Sequence, residues 1–166
     1  MEKKTVRKTT PRPARTSRWE GRTMTLEPFM AWEPRTVGLK LAWNNGRIET
    51  EYRTKQSERI IIDNIVTRFN TTAAYKAGNR IMAEAEVRLS SVSTYRQPDA
   101  CYLTREQIKS PDTASEVVSF IVEVISPYNT TLQVSEKLTS YFQAGTQVVR
   151  PVLHDSRGGW AVRGAK

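Results

Sequence analysis

Two acidic residues stand where their chemistry is conspicuous. Asp99 follows a proline in Gln97-Pro98-Asp99-Ala100-Cys101-Tyr102-Leu103, and Glu123 interrupts the apolar run Val117-Val118-Ser119-Phe120-Ile121-Val122-Glu123-Val124-Ile125. Read as a strand, that run is apolar on both faces, with Phe120, Val122 and Val124 on one and Ile121, Glu123 and Ile125 on the other. An ionised carboxylate in such a strand is costly unless a positive charge sits against it. A divalent metal supplies that charge, and so does a lysine together with a metal. Two carboxylates at the ends of neighbouring strands, with a lysine nearby, can bind Mg²⁺ (or Mn²⁺) and activate water. This combination points to phosphodiester cleavage, with Asp99 and Glu123 as the metal ligands. The competing reading places Glu123 at a strand end with its carboxylate escaping to solvent.

Lys137 is the candidate lysine. It lies in a helical segment one residue before Leu138 and four before Tyr141, so it flanks the apolar stripe Val134, Leu138, Tyr141, Phe142. Its stem can run along the core while the ammonium reaches the sheet edge. An ordinary surface lysine has the same local signature. Glu84 and Glu86 share a face of another strand and offer further metal ligands, or simply a solvated face. No phosphate-cradling Gly-rich loop occurs, and no G-x-S-x-G elbow. The chain has one cysteine, Cys101, and one histidine, His154. That pair cannot build a Cys/His zinc cluster, and Cys101 in an apolar strand reads as a buried structural thiol. His154, beside Asp155-Ser156-Arg157-Gly158-Gly159, reads as a loop residue.

The elements that must position these groups follow from periodicity and turn chemistry. Thr25–Trp32 is a short capped helix with acidic Glu27 and Pro28 in its first turn, ended by Pro34. Leu39–Trp43 and Arg47–Tyr52 flank Asn44-Asn45-Gly46, a strong hairpin signal. Between Lys55 and Ala77, apolar residues at Ile62, Ile65, Val66, Phe69 and Ala73 mark one helix face, and Gly78-Asn79 stops it. Alternation predicts a strand over Arg80–Leu89. Pro98 enters a second strand, Ala100–Leu103, and Ser110-Pro111-Asp112 is a loop. Val117–Ile125 is the central strand, broken at Ser126-Pro127. Thr130 or Thr131 caps a helix to Ala144, closed by Gly145, and Gln147–Leu153 and Trp160–Arg163 are late strands. The order implies an α/β domain, more exactly an α+β mixed sheet flanked by helices.

Composition limits the alternatives. The chain has 166 residues, enough for one domain with a real core, although hydrophobic content is only 38%. Residues 1–23 hold Lys3, Lys4, Arg7, Lys8, Arg12, Arg15, Arg18 and Arg22 against Glu2 and Glu20, so this segment carries +6 of the formal +9 charge. It lacks periodicity and reads as a disordered basic tail preceding a single domain over 24–166. The tail is either a phosphate-attracting arm or an extension ahead of a start at Met24. No secretory signal and no membrane-spanning run is evident. One cysteine fits a reducing, cytoplasmic compartment.

Five ordered segments between about Met24 and Val162 carry a resemblance. Phe29-Met30-Ala31-Trp32-Glu33-Pro34, Trp43-Asn44-Asn45-Gly46-Arg47-Ile48-Glu49, Pro98-Asp99-Ala100-Cys101-Tyr102-Leu103-Thr104, Phe120-Ile121-Val122-Glu123-Val124-Ile125-Ser126 and Glu136-Lys137-Leu138-Thr139-Ser140-Tyr141-Phe142-Gln143-Ala144-Gly145 resemble the "FLAWEP", "YEWNNG", "PDLAYFT", "FVIEVIS" and "EKLxEYFxAGV" segments of the Uma family of restriction endonucleases, in the PD-(D/E)XK nuclease superfamily. The resemblance implies a restriction-endonuclease-like PD-(D/E)XK fold. It also implies Asp99 and Glu123 as metal ligands and Mg²⁺-assisted phosphodiester hydrolysis. The lysine usual two residues after the Glu is replaced by Ile125, and in this family it lies on the following helix, which matches Lys137. The chain departs from the family at Leu41-Ala42, where relatives carry an acidic residue, and at Arg150-Pro151, where they carry a tryptophan. Pro151 suits only an edge position.

The expected activity is metal-dependent hydrolysis of DNA, with nucleic acid as partner, no membrane, and a homodimer as the superfamily's common state. Two rivals stand beside it. One is a catalytically decayed nucleic-acid-binding relative, weakened at Ala42. The other is a structural or interaction protein whose basic tail docks acidic partners.

Overall fold

The computed structural model describes residues 17–32, 38–110, 116–125, 129–154 and 160–161. The expected tail up to residue 16, the helix stop at Pro34, the loop at Pro111-Asp112, the break at Ser126-Pro127, the segment after His154 and the strand end at Arg163 lie outside them. No helix among the described residues is long and apolar enough to cross a membrane.

The hairpin forms as its Asn-Gly signal predicts. β1 (Leu39–Asn44) and β2 (Arg47–Tyr52) pair antiparallel, with Asn44 opposite Arg47. Asn45 and Gly46 take φ of 45° and 85°, the left-handed backbone that matches a two-residue turn to the strand twist. Alternation then sorts the side chains. Leu41, Trp43 and Ile48 face an apolar cluster with Phe29, on α1 (Leu26–Met30), and Tyr95. Lys40, Ala42, Asn44, Glu49 and Glu51 face the opposite way.

The alternating stretch expected as one strand is two. β3 (Arg80–Ala83) and β4 (Val87–Leu89) are separated at Glu84, whose φ is 49°. That left-handed residue ends β3 and turns the chain out of its sheet. Alternation persists because both pieces are strands, so sequence period alone hides the break. β4 pairs with β5 (Thr94–Arg96), a strand without a sequence signal, in a four-stranded antiparallel sheet of order β2-β1-β5-β4. β3 instead joins a five-stranded sheet of order β3-β6-β7-β8-β9, with β6 (Ala100–Leu103), β7 (Phe120–Ile125), β8 (Val148–His154) and β9 (Trp160–Ala161). The expected class therefore holds, with the strands divided between two sheets.

β6 and β7 run antiparallel, whereas β7 and β8 run parallel. After the short α4 (Arg105–Ile108), α5 (Thr131–Gln143) makes the crossover between the parallel strands. Thr130 caps α5 by accepting from the Gln133 N–H at 3.2 Å, and the Gln133 side chain accepts from the Thr130 N–H at 3.0 Å. His154, expected in a loop, ends β8 and pairs with Trp160. Among the described residues β9 meets β8 only at Leu153 and His154, and β7 alone lies beside Pro151. A proline is tolerated there.

One face of the large sheet is covered by α2 (Gln56–Phe69). Ile61, Ile62, Ile65, Val66 and Phe69 pack on Ile81, Ala100, Val122, Val124 and Val152. The single helix expected to Ala77 divides before α3 (Ala73–Lys76). The Thr71 and Thr72 hydroxyls donate to the Arg68 and Phe69 carbonyls, and the Thr72 oxygen also accepts from the Tyr75 N–H. Such bonds compete with the helical ladder. The other face of the sheet packs against α5 and β4, through Cys101, Leu103, Ile121, Val87, Leu89, Tyr141 and Ala144.

Candidate active site

Asp99 and Glu123 reach one side of the large sheet by alternation. Cys101 and Ile121 are direct partners on β6 and β7, as are Ala100 and Val122. Asp99 and Glu123 lie two residues from Cys101 and Ile121, so they share the face of that pair. Glu123 is 2% exposed, and Asp99 is buried too. The reading in which the Glu123 carboxylate escapes to solvent does not hold.

Each carboxylate is held at both oxygens. Asp99 Oδ2 accepts from the Val124 N–H at 2.7 Å, and Oδ1 accepts from Lys40 Nζ at 2.9 Å and Thr54 Oγ1 at 3.0 Å. Glu123 Oε1 accepts from the Tyr141 hydroxyl at 2.7 Å, and Oε2 pairs with Lys137 Nζ at 2.9 Å. Lys137 also donates to Glu51 Oε2 at 2.7 Å, and the same Glu51 oxygen lies 3.8 Å from Lys40 Nζ. Arg96, buried on β5, pairs with Glu49 at 2.9 Å and Glu51 at 3.3 Å. The result is a chain of alternating charge, Asp99–Lys40–Glu51–Lys137–Glu123, with Arg96 and Glu49 as a branch.

Three elements build this chain. The polar face of the β1–β2 hairpin supplies Lys40, Glu49 and Glu51, the large sheet supplies the two acids, and α5 supplies Lys137 and Tyr141. Lys137 lies within the inward stripe of α5, alongside Val134, Leu138, Tyr141 and Ala144, instead of flanking it. Phe142, expected in that stripe, is exposed. The helix is rotated so that Lys137, and not Phe142, faces the sheet beside Tyr141. Ala42 lies on the same face of the hairpin as Lys40 and is opposite Glu49.

The electrostatics follow from burial and pairing. Burial pushes the Glu123 carboxyl up, and Asp99 and Glu51 add to this against the opposing pull of Lys137 and Lys40, so the net direction is upward. Burial also pushes Glu51 up, yet Lys137, Lys40 and Arg96 outweigh it and hold that carboxyl at about 2. Burial disfavours the Lys137 ammonium, but Glu123, Glu51 and Asp99 outweigh burial and leave its pKa raised. Lys40 is raised in the same way, chiefly by Asp99 against its own burial. Both lysines are therefore held as cations. Cys101 is buried and its thiol is pushed up to about 12, mainly by burial and further by Glu123, which fits a structural role.

A cleft of about 390 Å³ opens beside Asp99, lined by Thr54, Arg59, Ile62, Asp63, Ala83 and Glu84. Glu84 lies in it with its carboxylate 3.3 Å from Thr54 Oγ1 and 3.9 Å from Arg53. Glu86 accepts instead from Gln97 Nε2, at 3.4 Å. Among the described residues no three of His, Cys, Asp and Glu are grouped so as to hold a metal ion. Two carboxylates are nevertheless the number Mg²⁺ usually takes from protein, the rest being water and phosphate oxygen. The hard oxygens of Asp99 and Glu123 fit that chemistry, while the lysine ammoniums already neutralise them.

Sequence reasoning singled out Asp99, Glu123 and Lys137, and the structure brings all three into one network. It missed Lys40, Glu51, Thr54 and Arg96. Lys40 and Glu51 carried one available signal: they alternate with Leu41, Trp43 and Ile48, so a face shared with the small Ala42 had to pack against something.

Residues 26–153 match the model of the Uma2 family, described as "Putative restriction endonuclease". Among solved structures, the crystal structure of "a putative nuclease belonging to DUF820" from Anabaena variabilis ATCC 29413 is similar, with a TM-score of 0.63. It is 16% identical over 78% of this chain and 74% of that one, a likeness of fold. No curated protein matches. The restriction-endonuclease-like fold expected from the sequence is the fold found.

Proposed function

The chain belongs to the Uma2 family, and on that premise we propose that it is a metal-dependent endonuclease hydrolysing DNA phosphodiester bonds. The observation that carries the reading is the convergence of Asp99 and Glu123 on one sheet face with Lys137 2.9 Å from Glu123. Asp99 and Glu123 would hold Mg²⁺, or Mn²⁺ in its place. When bound, such an ion supplies Lewis acidity and a more acidic water. Tyr141 and Lys137 engage the two oxygens of Glu123, so the orientation of the carboxylate is set. Val124 N–H and Thr54 do the same for Asp99. Lys137, 2.9 Å from Glu123, supplies a cation that would stabilise charge developing on phosphate. A homodimer, common in the superfamily, would place two such sites for double-strand cleavage.

The test is nicking of supercoiled plasmid with Mg²⁺ or Mn²⁺. Wild type should nick, while Glu123→Gln and Asp99→Asn should not. Equal nicking by wild type and Glu123→Gln would defeat the assignment. The pairing of both carboxylates with lysines favours a second reading, a nucleic-acid-binding relative without cleavage. It predicts salt-sensitive DNA binding and no nicking by any of the three proteins.

A further inference from the structure

We propose that Lys40 is a built-in counter-cation that competes with divalent metal for Asp99 and so sets how tightly the site binds metal. This rests on the metal-site reading above and concerns a residue that reading does not use. Lys40 is only 4% exposed. Its Nζ lies 2.9 Å from Asp99 Oδ1, 2.9 Å from the Gln97 carbonyl oxygen and 3.8 Å from Glu51 Oε2. An all-oxygen set of two carboxylates and a backbone carbonyl is what a hard cation takes. In this protein an ammonium takes it.

The lone pairs of Asp99 make the competition concrete. A carboxylate offers about four lone-pair sites. Oδ1 spends two on Lys40 and Thr54, and Oδ2 spends one on the Val124 N–H. One site is left for a metal while Lys40 stays, and a second opens when it leaves. The ammonium also places a positive charge against the ligand that must attract a dication. Lys40 cannot swing to water cheaply, because its β1 backbone is paired with β2 at Glu51 and its departure takes the cation from the buried Asp99 carboxylate. Metal entering at Asp99 therefore works against Lys40 in every binding event.

The experiment is Mn²⁺ binding to the full chain, without nucleic acid, by calorimetry and by the loss of free-ion electron paramagnetic resonance signal. Four proteins are compared with wild type: Lys40→Met, Lys40→Gln, Lys40→Arg and Asp99→Asn. The methionine keeps the stem and drops the charge. The glutamine keeps a donor for Asp99, which guards against a variant that fails to fold, and circular dichroism checks both. Lys40→Met and Lys40→Gln should each bind Mn²⁺ about tenfold tighter or more than wild type. Lys40→Arg should stay weak and Asp99→Asn should lose binding. If wild type binds and Asp99→Asn does not, but neither neutral variant binds tighter, Lys40 is no competitor and the inference falls while the metal site stands. If no Lys40 variant and no wild type takes up Mn²⁺, the metal-site reading falls and takes the inference with it.

Discussion

The two faces of the large sheet are both buried, in opposite ways. Against α2, Ile61, Ile62, Val122, Val124 and Val152 form a purely apolar contact. Against α5 and the small sheet, an apolar half around Cys101, Ile121, Leu89 and Val87 gives way to the paired charges of Lys40, Glu51, Lys137 and Glu123. An apolar face gains from every contact and tolerates small changes locally. A charged face is balanced only as a set, because each ion is stable by virtue of the next. The α2 face therefore reads as scaffold. The other face concentrates charge where a phosphate-bearing substrate and a cation could use it.

The largest expected effect breaks the balance at its centre. Lys137→Met removes the cation paired with the buried Glu123 and one of the cations paired with Glu51, and equilibrium denaturation should show a loss of about 3–5 kcal/mol. A loss under about 1 kcal/mol, the range of an exposed pair, would show that the charges are solvated and the contrast between the faces is wrong. On the apolar face, Ile61→Ala, at a residue outside the lining of the cleft beside Asp99, should cost about 2–5 kcal/mol through lost burial and a cavity. Its plasmid nicking per folded molecule should match wild type, and a selective loss of activity would make α2 more than scaffold. Tyr141→Phe keeps the ring in the core and removes one donor from Glu123 Oε1. It should cost about 1–3 kcal/mol, measured by the same denaturation.

Acid should affect the two glutamates in opposite directions. Glu51 is held at about 2 against its ordinary 4.5. Its stabilisation is present above pH 4.5 and is lost as pH falls from there toward 2. Glu123 is raised, so its contribution is most favourable below pH 4.5 and is lost as pH rises through its folded value. Glu51→Gln should therefore flatten the acid limb of the stability profile, measured by thermal unfolding from pH 6 to pH 2. An unchanged acid limb would remove Glu51 from the network.

How much of this was legible follows from the same contrast. Glu123 was conspicuous because an acid in an apolar strand has few explanations, and Asp99 because of its place after Pro98. Lys40 and Glu51 lay in a hairpin whose polar residues alternate like any solvated face. Only the packing of α5 and the large sheet onto that face reveals Lys40 as buried and Glu51 as half-buried. Arg96 sits in a three-residue strand, too short for a periodic signal. The division into two sheets turns on one backbone angle at Glu84, which leaves no trace in the alternation around it. The rotation of α5 that brings Lys137 in and leaves Phe142 out was hidden because hydrophobicity favours the ring. The outcome is decided by the charges waiting opposite.

The central claim is that the charged face is a metal-dependent nuclease site. It is tested most directly by plasmid nicking in Mg²⁺ and Mn²⁺ by wild type and Glu123→Gln, with matched circular dichroism spectra. The amide keeps the shape of the carboxylate and loses the charge that holds a hard cation. The account predicts divalent-dependent nicking by wild type and none by a fully folded Glu123→Gln. Equal nicking by the two proteins would contradict it.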